Sequence, residues 1–323
     1  MSADAAFDPY VHDPGRWGNS LANNAELILP CLDAAGARSV VEIGAYAGDV
    51  TRLLLGWASQ SGATIVTIDP SPHDALVQLA SEREELELVR ATSLEALAEI
   101  EMPDAVIVDG DHNYYTVTRE LERILARSSG RGLPLVLFHD VCWPHARRDD
   151  YFAPAEIPDA DRHAYVAGAG LFPGDPGVHP GSLPFRFAAA REGGPRNGVL
   201  TAVEDFVSGH DHLRLAVIPA FFGLGVMWDA EAPWAAAVAE LLAPYDRHPL
   251  LERLEANRVF HLASVHVNMV RAGLAEQRSA RKSEFLGRLL VSKTFAIAVL
   301  LSRLRQRGEP AFSKEEIRRL LDD

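Results

Sequence analysis

The groups able to do chemistry in this chain fall in three short stretches, each directly after an apolar run: Asp69; Asp109-Gly110-Asp111-His112; and His139-Asp140. Carboxylates are hard oxygen ligands of the kind Mg²⁺ and Mn²⁺ prefer. Imidazole is a proton acceptor whose ordinary pKa lies near neutral pH. Together they suit a reaction in which a weakly acidic hydroxyl must lose its proton, because a bound cation lowers the hydroxyl pKa and a base takes the proton. Asp109 and Asp140 are the expected cation ligands. His112, three residues after Asp109, is the expected base, with Asp111 beside it in the catalytic set; capping the next helix is the simpler use for Asp111. Asp69 suits a pair of ribose hydroxyls, since one carboxylate accepts two hydrogen bonds at once.

These residues need a scaffold that brings chain ends together, and residues 39–69 outline it. The β-branched run Ser39-Val40-Val41-Glu42-Ile43 reads as a buried parallel strand. Gly44 and Gly48 follow, then an amphipathic run from Val50 to Leu55 that reads as a helix. A second apolar run, Thr64–Ile68, ends at Asp69. Strand, glycine turn, helix, strand and acid make one right-handed βαβ unit with a nucleoside site at the strands' carboxyl ends. A dinucleotide would require G-x-G-x-x-G so that its pyrophosphate docks on helix amides. Here Tyr46 takes the middle glycine's place, no third glycine arrives on spacing, and Glu42 adds negative charge beside the turn. That environment favours S-adenosylmethionine, which carries a sulfonium and an ammonium and no phosphate. The cofactor set is read as Glu42, Gly44, Ala45, Tyr46, Gly48, Asp69, Ser71, Thr92, Ser93 and Asp109.

Further along, helices are expected over 74–83, 93–100 (Ser93 as N-cap) and 114–127. Strands are expected over 86–89, 104–108 and 133–138. The alternation means a doubly wound, mostly parallel α/β sheet. The alternation stops at 142–197, which is rich in Pro, Gly, His and Asp and reads as a lid over the strand ends. A helix over 199–207 and strands over 213–218 and 221–228 close the sheet.

Glu42-Ile43-Gly44-Ala45-Tyr46-Ala47-Gly48 resembles the first motif of class I S-adenosylmethionine-dependent methyltransferases. Asp109-Gly110-Asp111-His112-Asn113-Tyr114 and Leu137-Phe138-His139-Asp140-Val141 resemble motifs of the macrocin- and mycinamicin-type metal-dependent sugar O-methyltransferases and the related cephalosporin hydroxylase-like group. The resemblance spans about residues 38–230. It implies a seven-stranded Rossmann-like methyltransferase sheet. It also implies Asp109, His139 and Asp140 around a divalent metal, His112 as general base, and a hydroxyl of a sugar or natural-product scaffold as acceptor. His139 stands where those enzymes carry an acid; imidazole suits Mg²⁺ poorly and Mn²⁺, Fe²⁺ or Zn²⁺ better. Metal-free transfer, with His112 or His139 as base or with proximity alone, is the catalytic alternative. A non-catalytic binding protein on the same fold is the other.

Three segments follow: an arm and helix at 1–37, the cofactor-binding domain at 38–230, and a helical extension at 231–323. The extension is expected as helices over 249–261, 264–277 and 284–307, with a capping box at Ser313-Lys314-Glu315-Glu316 opening one more. Net charge is −14, which disfavours nucleic acid as the partner. From Arg271 onward, 12 Lys/Arg face 7 Asp/Glu, so the tail is basic and the rest strongly acidic. Packing on the catalytic domain or on a second copy is favoured for it over a membrane surface. Two cysteines form no disulfide framework and point to a reducing cytoplasm. The lid's His145, His163, His179, Arg147, Arg148 and Arg186 could meet a polar substrate, with solvated loop residues the favoured reading for each; His210, His212 and the helix face bearing Arg119, Glu120, Glu122 and Arg123 are read as solvated. Tyr151, Phe172 and Phe185 are open to ring stacking or lid packing, and Cys142 is read as a buried thiol.

Overall fold

The computed structural model describes residues 19–128, 130, 132–305 and 318. The strands β1 (Ser39–Ile43), β2 (Thr64–Ile68), β3 (Leu86–Val89), β4 (Ala105–Val108) and β5 (Leu135–Phe138) run parallel. A later pair, β8 (Leu213–Ile218) and β9 (Leu224–Asp229), closes the sheet antiparallel against β5. The spatial order is β3-β2-β1-β4-β5-β9-β8, seven strands of mostly parallel sense, as the alternation of elements predicts. The order reverses between β1 and β4, and such switch points are where open α/β sheets hold ligands.

Alternation along the strands divides the interior into two layers. Val40, Ile65, Ile107, Leu135 and Leu137 face one core, shared with α1 (Ala25–Ala34), α2 (Asp49–Ser61) and α7 (Ala235–Leu242). Val41, Ile43, Ile68, Val106, Val108 and Phe138 face the other, with α4 (Ser93–Glu99), α5 (Tyr114–Arg127) and α6 (Val199–Ser208). The helix α3 (Asp74–Glu82) lies between β2 and β3 in sequence. Both faces are covered, which explains why these strands read as near-continuous apolar runs.

Several sequence expectations shift. The expected strand 221–228 starts only at Leu224, because Phe221 (φ 51°), Phe222 (φ 67°) and Gly223 (φ 95°) are left-handed and cannot join the ladder. The segment 142–197 is far from structureless. It holds an antiparallel hairpin, β6 (Tyr165–Leu171) and β7 (Leu183–Ala189). Asp149 ties it down: Oδ1 accepts from the Tyr114 and Gly198 amides at 2.8 and 2.7 Å, and Oδ2 accepts the Tyr151 hydroxyl at 2.9 Å. Arg148, read as solvated, is buried and donates to the carbonyls of Ala189, Pro176 and Gly177. Glu120 is also fully buried. Thr92 rather than Ser93 caps α4, in a reciprocal capping box with Glu95.

The described chain divides into two units at residues 263 and 264. The long helix α8 (Pro249–Val291) runs without the expected breaks, and α9 (Lys293–Arg305) follows it. In the second unit Phe285, Val291, Ile297 and Leu300 are exposed. No described helix is long and apolar enough to cross a membrane. The N-terminal arm up to residue 18 and the capping box at Ser313 lie outside the described residues.

Candidate active site

A cavity of about 860 Å³ opens at the carboxyl ends of β1, β2, β4 and β5. On one side it is built from the turn after β1. Gly44 sits at φ +84°, and a Cβ there would stand 2.1 Å from the carbonyl oxygen of Asp109, so only glycine lets the two strand ends approach. Asp69, at the end of β2, holds the turn in shape: Oδ2 accepts the Tyr46 amide at 2.8 Å and Oδ1 the Ser71 amide at 2.7 Å. Each oxygen keeps a further lone pair for a ligand. Glu42 is buried below, accepting from the Thr51 hydroxyl at 2.6 Å. Burial first, then the charges of Asp109 and Asp69, push its carboxyl up to about 7, against the pull of the two threonine hydroxyls. Ala45, Thr92 and Ser93 also line this side. Of the expected cofactor residues, Gly48 alone does not line the cavity; at φ +83° it serves as N-cap of α2, close to Leu76.

The other side carries the acids and imidazoles. His139 Nδ1 lies 3.1 Å from Asp109 Oδ1 and 3.5 Å from Asp140 Oδ2. Its Nε2 lies 2.9 Å from the carbonyl oxygen of Phe221, an acceptor only, so Nε2 carries the proton and Nδ1 is presented to the carboxylates. The Phe221–Phe222 turn is itself held by Glu255 on α8. Its Oε2 and Oε1 accept the two amides at 3.0 and 2.7 Å, and the Arg258 guanidinium forks onto the same carboxylate at 2.7 and 2.6 Å. Asp140 is left-handed too (φ 60°). Among the described residues, four of the six left-handed non-glycine positions (Tyr46, Asp140, Phe221 and Phe222) therefore surround this one site, which is where backbone strain tends to be kept.

His112 Nε2 lies 3.1 Å from Asp140 Oδ2 and 3.6 Å from Asp109 Oδ1, close enough to attract but aligned with neither as a hydrogen bond. Burial opposes a proton on His112, yet Asp140 and Asp109 overcome it and push the imidazole up to about 9. The same two acids outweigh burial at His139 and push it up to about 10. Burial would raise Asp109, but His139 and His112 more than reverse that and bring it down to about 2. His145 goes the other way, to about 3, because burial dominates and the neighbouring imidazoles add to it. Asp111 stands apart from this cluster. It accepts from the Thr116 hydroxyl at 3.1 Å and from the Phe152 amide at 3.0 Å, joining the α5 start to the lid.

Every expected metal and catalytic residue therefore borders one cavity. His145, read as a solvated loop residue, is instead buried against it, its ring 4.8 Å from that of His112 and edge-on to Phe185 at 5.3 Å. The available signal was its place on the same connection as His139, six residues on. Tyr115, Phe152, Arg186 and Phe222 also line the cavity, and nothing periodic marks them in the sequence.

Asp109, His139 and Asp140 each offer one ligand atom, all within 4.8 Å of one another. A fixed imidazole nitrogen facing two carboxylates fits a divalent cation, and the mixed donor set leans toward Mn²⁺, Fe²⁺ or Zn²⁺ over Mg²⁺. Residues 41–141 match the family model described as a methyltransferase domain. No curated protein matches the chain. Among solved structures, the SAH-bound methyltransferase PaMTH1 of Podospora anserina is similar at 16% identity over 65% of this chain and 79% of that one, TM-score 0.41. Cofactor-bound Rv0187 from MTB is similar at 18% identity over 67% and 83%, TM-score 0.40. The matched span runs from within β1 to just past β5 and takes in the strand ends that carry Asp69, Asp109, His139 and Asp140.

Proposed function

We propose that this protein is an S-adenosylmethionine-dependent O-methyltransferase, metal-assisted, acting on a hydroxyl of a sugar or natural-product scaffold. One observation carries the reading. The acids and imidazoles of β4 and β5 share a cavity with the Gly44 turn and Asp69, so a donor held by the turn faces an acceptor held by the cluster. The acidic side matches the donor's charge: Glu42 and Asp69 face a ligand with a positive sulfur and a positive amine. In the transfer the acceptor oxygen forms a bond to the methyl carbon as the carbon–sulfur bond breaks. The sulfur keeps that electron pair and leaves as a neutral thioether.

The acceptor proton goes to His112 Nε2. A divalent cation held by Asp109, His139 and Asp140 would lower the hydroxyl's pKa and cancel the two negative charges that otherwise keep His112 protonated. Phe221 keeps His139 turned the right way. Asp111 holds Phe152 at the cavity wall. The lid residues Phe152 and Arg186 restrict water at the reacting oxygen and select the acceptor.

Calorimetric titration with S-adenosylmethionine, and methyl transfer to hydroxylated acceptors before and after chelation, test this reading. Asp109→Ala and Asp140→Ala are expected to abolish transfer while cofactor affinity is largely kept. Transfer at the wild-type rate by either variant without added metal would refute the metal's part. A fully active His112→Ala would remove the base.

A further inference from the structure

The cluster contains a second grouping of donors, and one of them, His145, has no part in the proposed reaction. His145 is nine-tenths buried, and its Nδ1 has no hydrogen-bond partner. His112 Nε2 is likewise buried without one. The orphaned His145 nitrogen is costly, because it has given up water without replacement, and His112 Nε2 has only the unaligned attraction of Asp140. His112 and His145 belong to a group with Asp140 in which one ligand atom from each residue lies within 4.8 Å of the others. Stacking does not account for them: the His112 and His145 rings are 4.8 Å apart and tilted by 32°, which leaves the nitrogens unsatisfied.

The structure assigns a second cation seat to His112 Nε2, His145 Nδ1 and the Asp140 carboxylate, selective for a borderline transition metal of the Zn²⁺ class. Two imidazoles and one carboxylate are a donor set that binds Zn²⁺ with a coordination position left open. The Asp109–His139–Asp140 seat has the opposite balance, two carboxylates to one imidazole. The two seats share Asp140, so filling one alters the other. On the proposed function, the second seat also withdraws the nitrogen that His112 needs as a base, and Zn²⁺ there and proton transfer to His112 are alternatives.

The test uses the full chain, freed of metal, with Zn²⁺ and Co²⁺ as probes. Zn²⁺ affinity is read by competition with a chromophoric chelator, and Co²⁺ geometry by its visible absorption. His145→Phe, which keeps the ring packed against Phe185, is expected to weaken Zn²⁺ at least ~10-fold and erase the Co²⁺ bands. Asp109→Asn, outside this seat, is expected to retain both. The reverse pattern, with Zn²⁺ lost in Asp109→Asn and kept in His145→Phe, overturns the assignment. Wild-type protein labelled with ¹⁵N-histidine gives an answer independent of variant folding: Zn²⁺ must shift Nδ1 of His145 and Nε2 of His112, and unmoved signals refute the seat. Calorimetry with S-adenosylmethionine on the same samples reports the cofactor reading separately, so either idea can fail without the other.

Discussion

Glu42 offers a sharp test of how the cavity recognises its donor. Its carboxyl is buried, and burial first, then the charges of Asp109 and Asp69, push it up to about 7. A ligand with a positive sulfur and a positive amine binds the ionised carboxylate and competes with the proton. Affinity must therefore rise with pH through that value. With a pKa of about 7, about 3% of the carboxyl is ionised at pH 5.5 and about half at pH 7, so apparent affinity should increase about 15-fold over that interval. Binding at neutral pH should also release a fraction of a proton, visible as a dependence of the calorimetric heat on buffer ionisation enthalpy. Glu42→Gln keeps the shape and the threonine contacts but cannot titrate. It should bind more weakly and with a flat profile. A flat wild-type profile, or an unchanged slope in Glu42→Gln, would refute the assignment of Glu42 to the donor's charge.

Three other perturbations follow from the same geometry. Gly44→Ala puts a Cβ 2.1 Å from the Asp109 carbonyl at a positive φ and should cost more than about 4 kcal/mol in urea unfolding. Asp149→Ala strips the acceptor from the buried Gly198 amide, the half-buried Tyr114 amide and a tyrosine hydroxyl. It should cost about 3 kcal/mol and make the 142–197 segment sensitive to protease. Glu120 is buried with both carboxyl oxygens unpartnered, and burial pushes it up to about 8. A raised carboxyl stabilises the fold fully below its unfolded pKa and loses that contribution as pH rises to the folded value. Relative to Glu120→Gln, wild-type stability should therefore fall between about pH 4.5 and 8, by at most about 1.4 kcal/mol per unit. Parallel stability–pH curves would contradict it.

The sheet was legible because parallel strands covered on both faces must be β-branched and apolar throughout, as Val40-Val41 and Ala105-Val106-Ile107-Val108 are. The Gly44 turn and Asp69 were legible as a shared cavity wall for a related reason: a glycine forced by close approach and an acid at a strand end both leave marks at fixed spacing. Burial in loops leaves none. His145 and Arg148 are polar residues in a Pro- and Gly-rich stretch, and only the folded hairpin shows that they are enclosed. Glu120 looks solvated because its charged neighbours mimic an exposed helix face, whereas it lies on the buried side of α5 with Val117, Leu121 and Ile124. Left-handed aromatic residues such as Phe221 and Phe222 run against their own conformational preference, so no local pattern announces them.

The hold of Glu255 and Arg258 on the Phe221–Phe222 turn ties the acid and imidazole cluster to a helix far downstream in the chain. A protein shortened to end after α7 would retain every strand and every charged residue of the cluster, and would keep both core layers. It would lack the splint that keeps one carbonyl aimed at one imidazole, and the His139 ring would be free to turn over. Fold and competence are thus encoded by separate stretches of this chain, and a minimal domain drawn around the sheet would keep the first without the second.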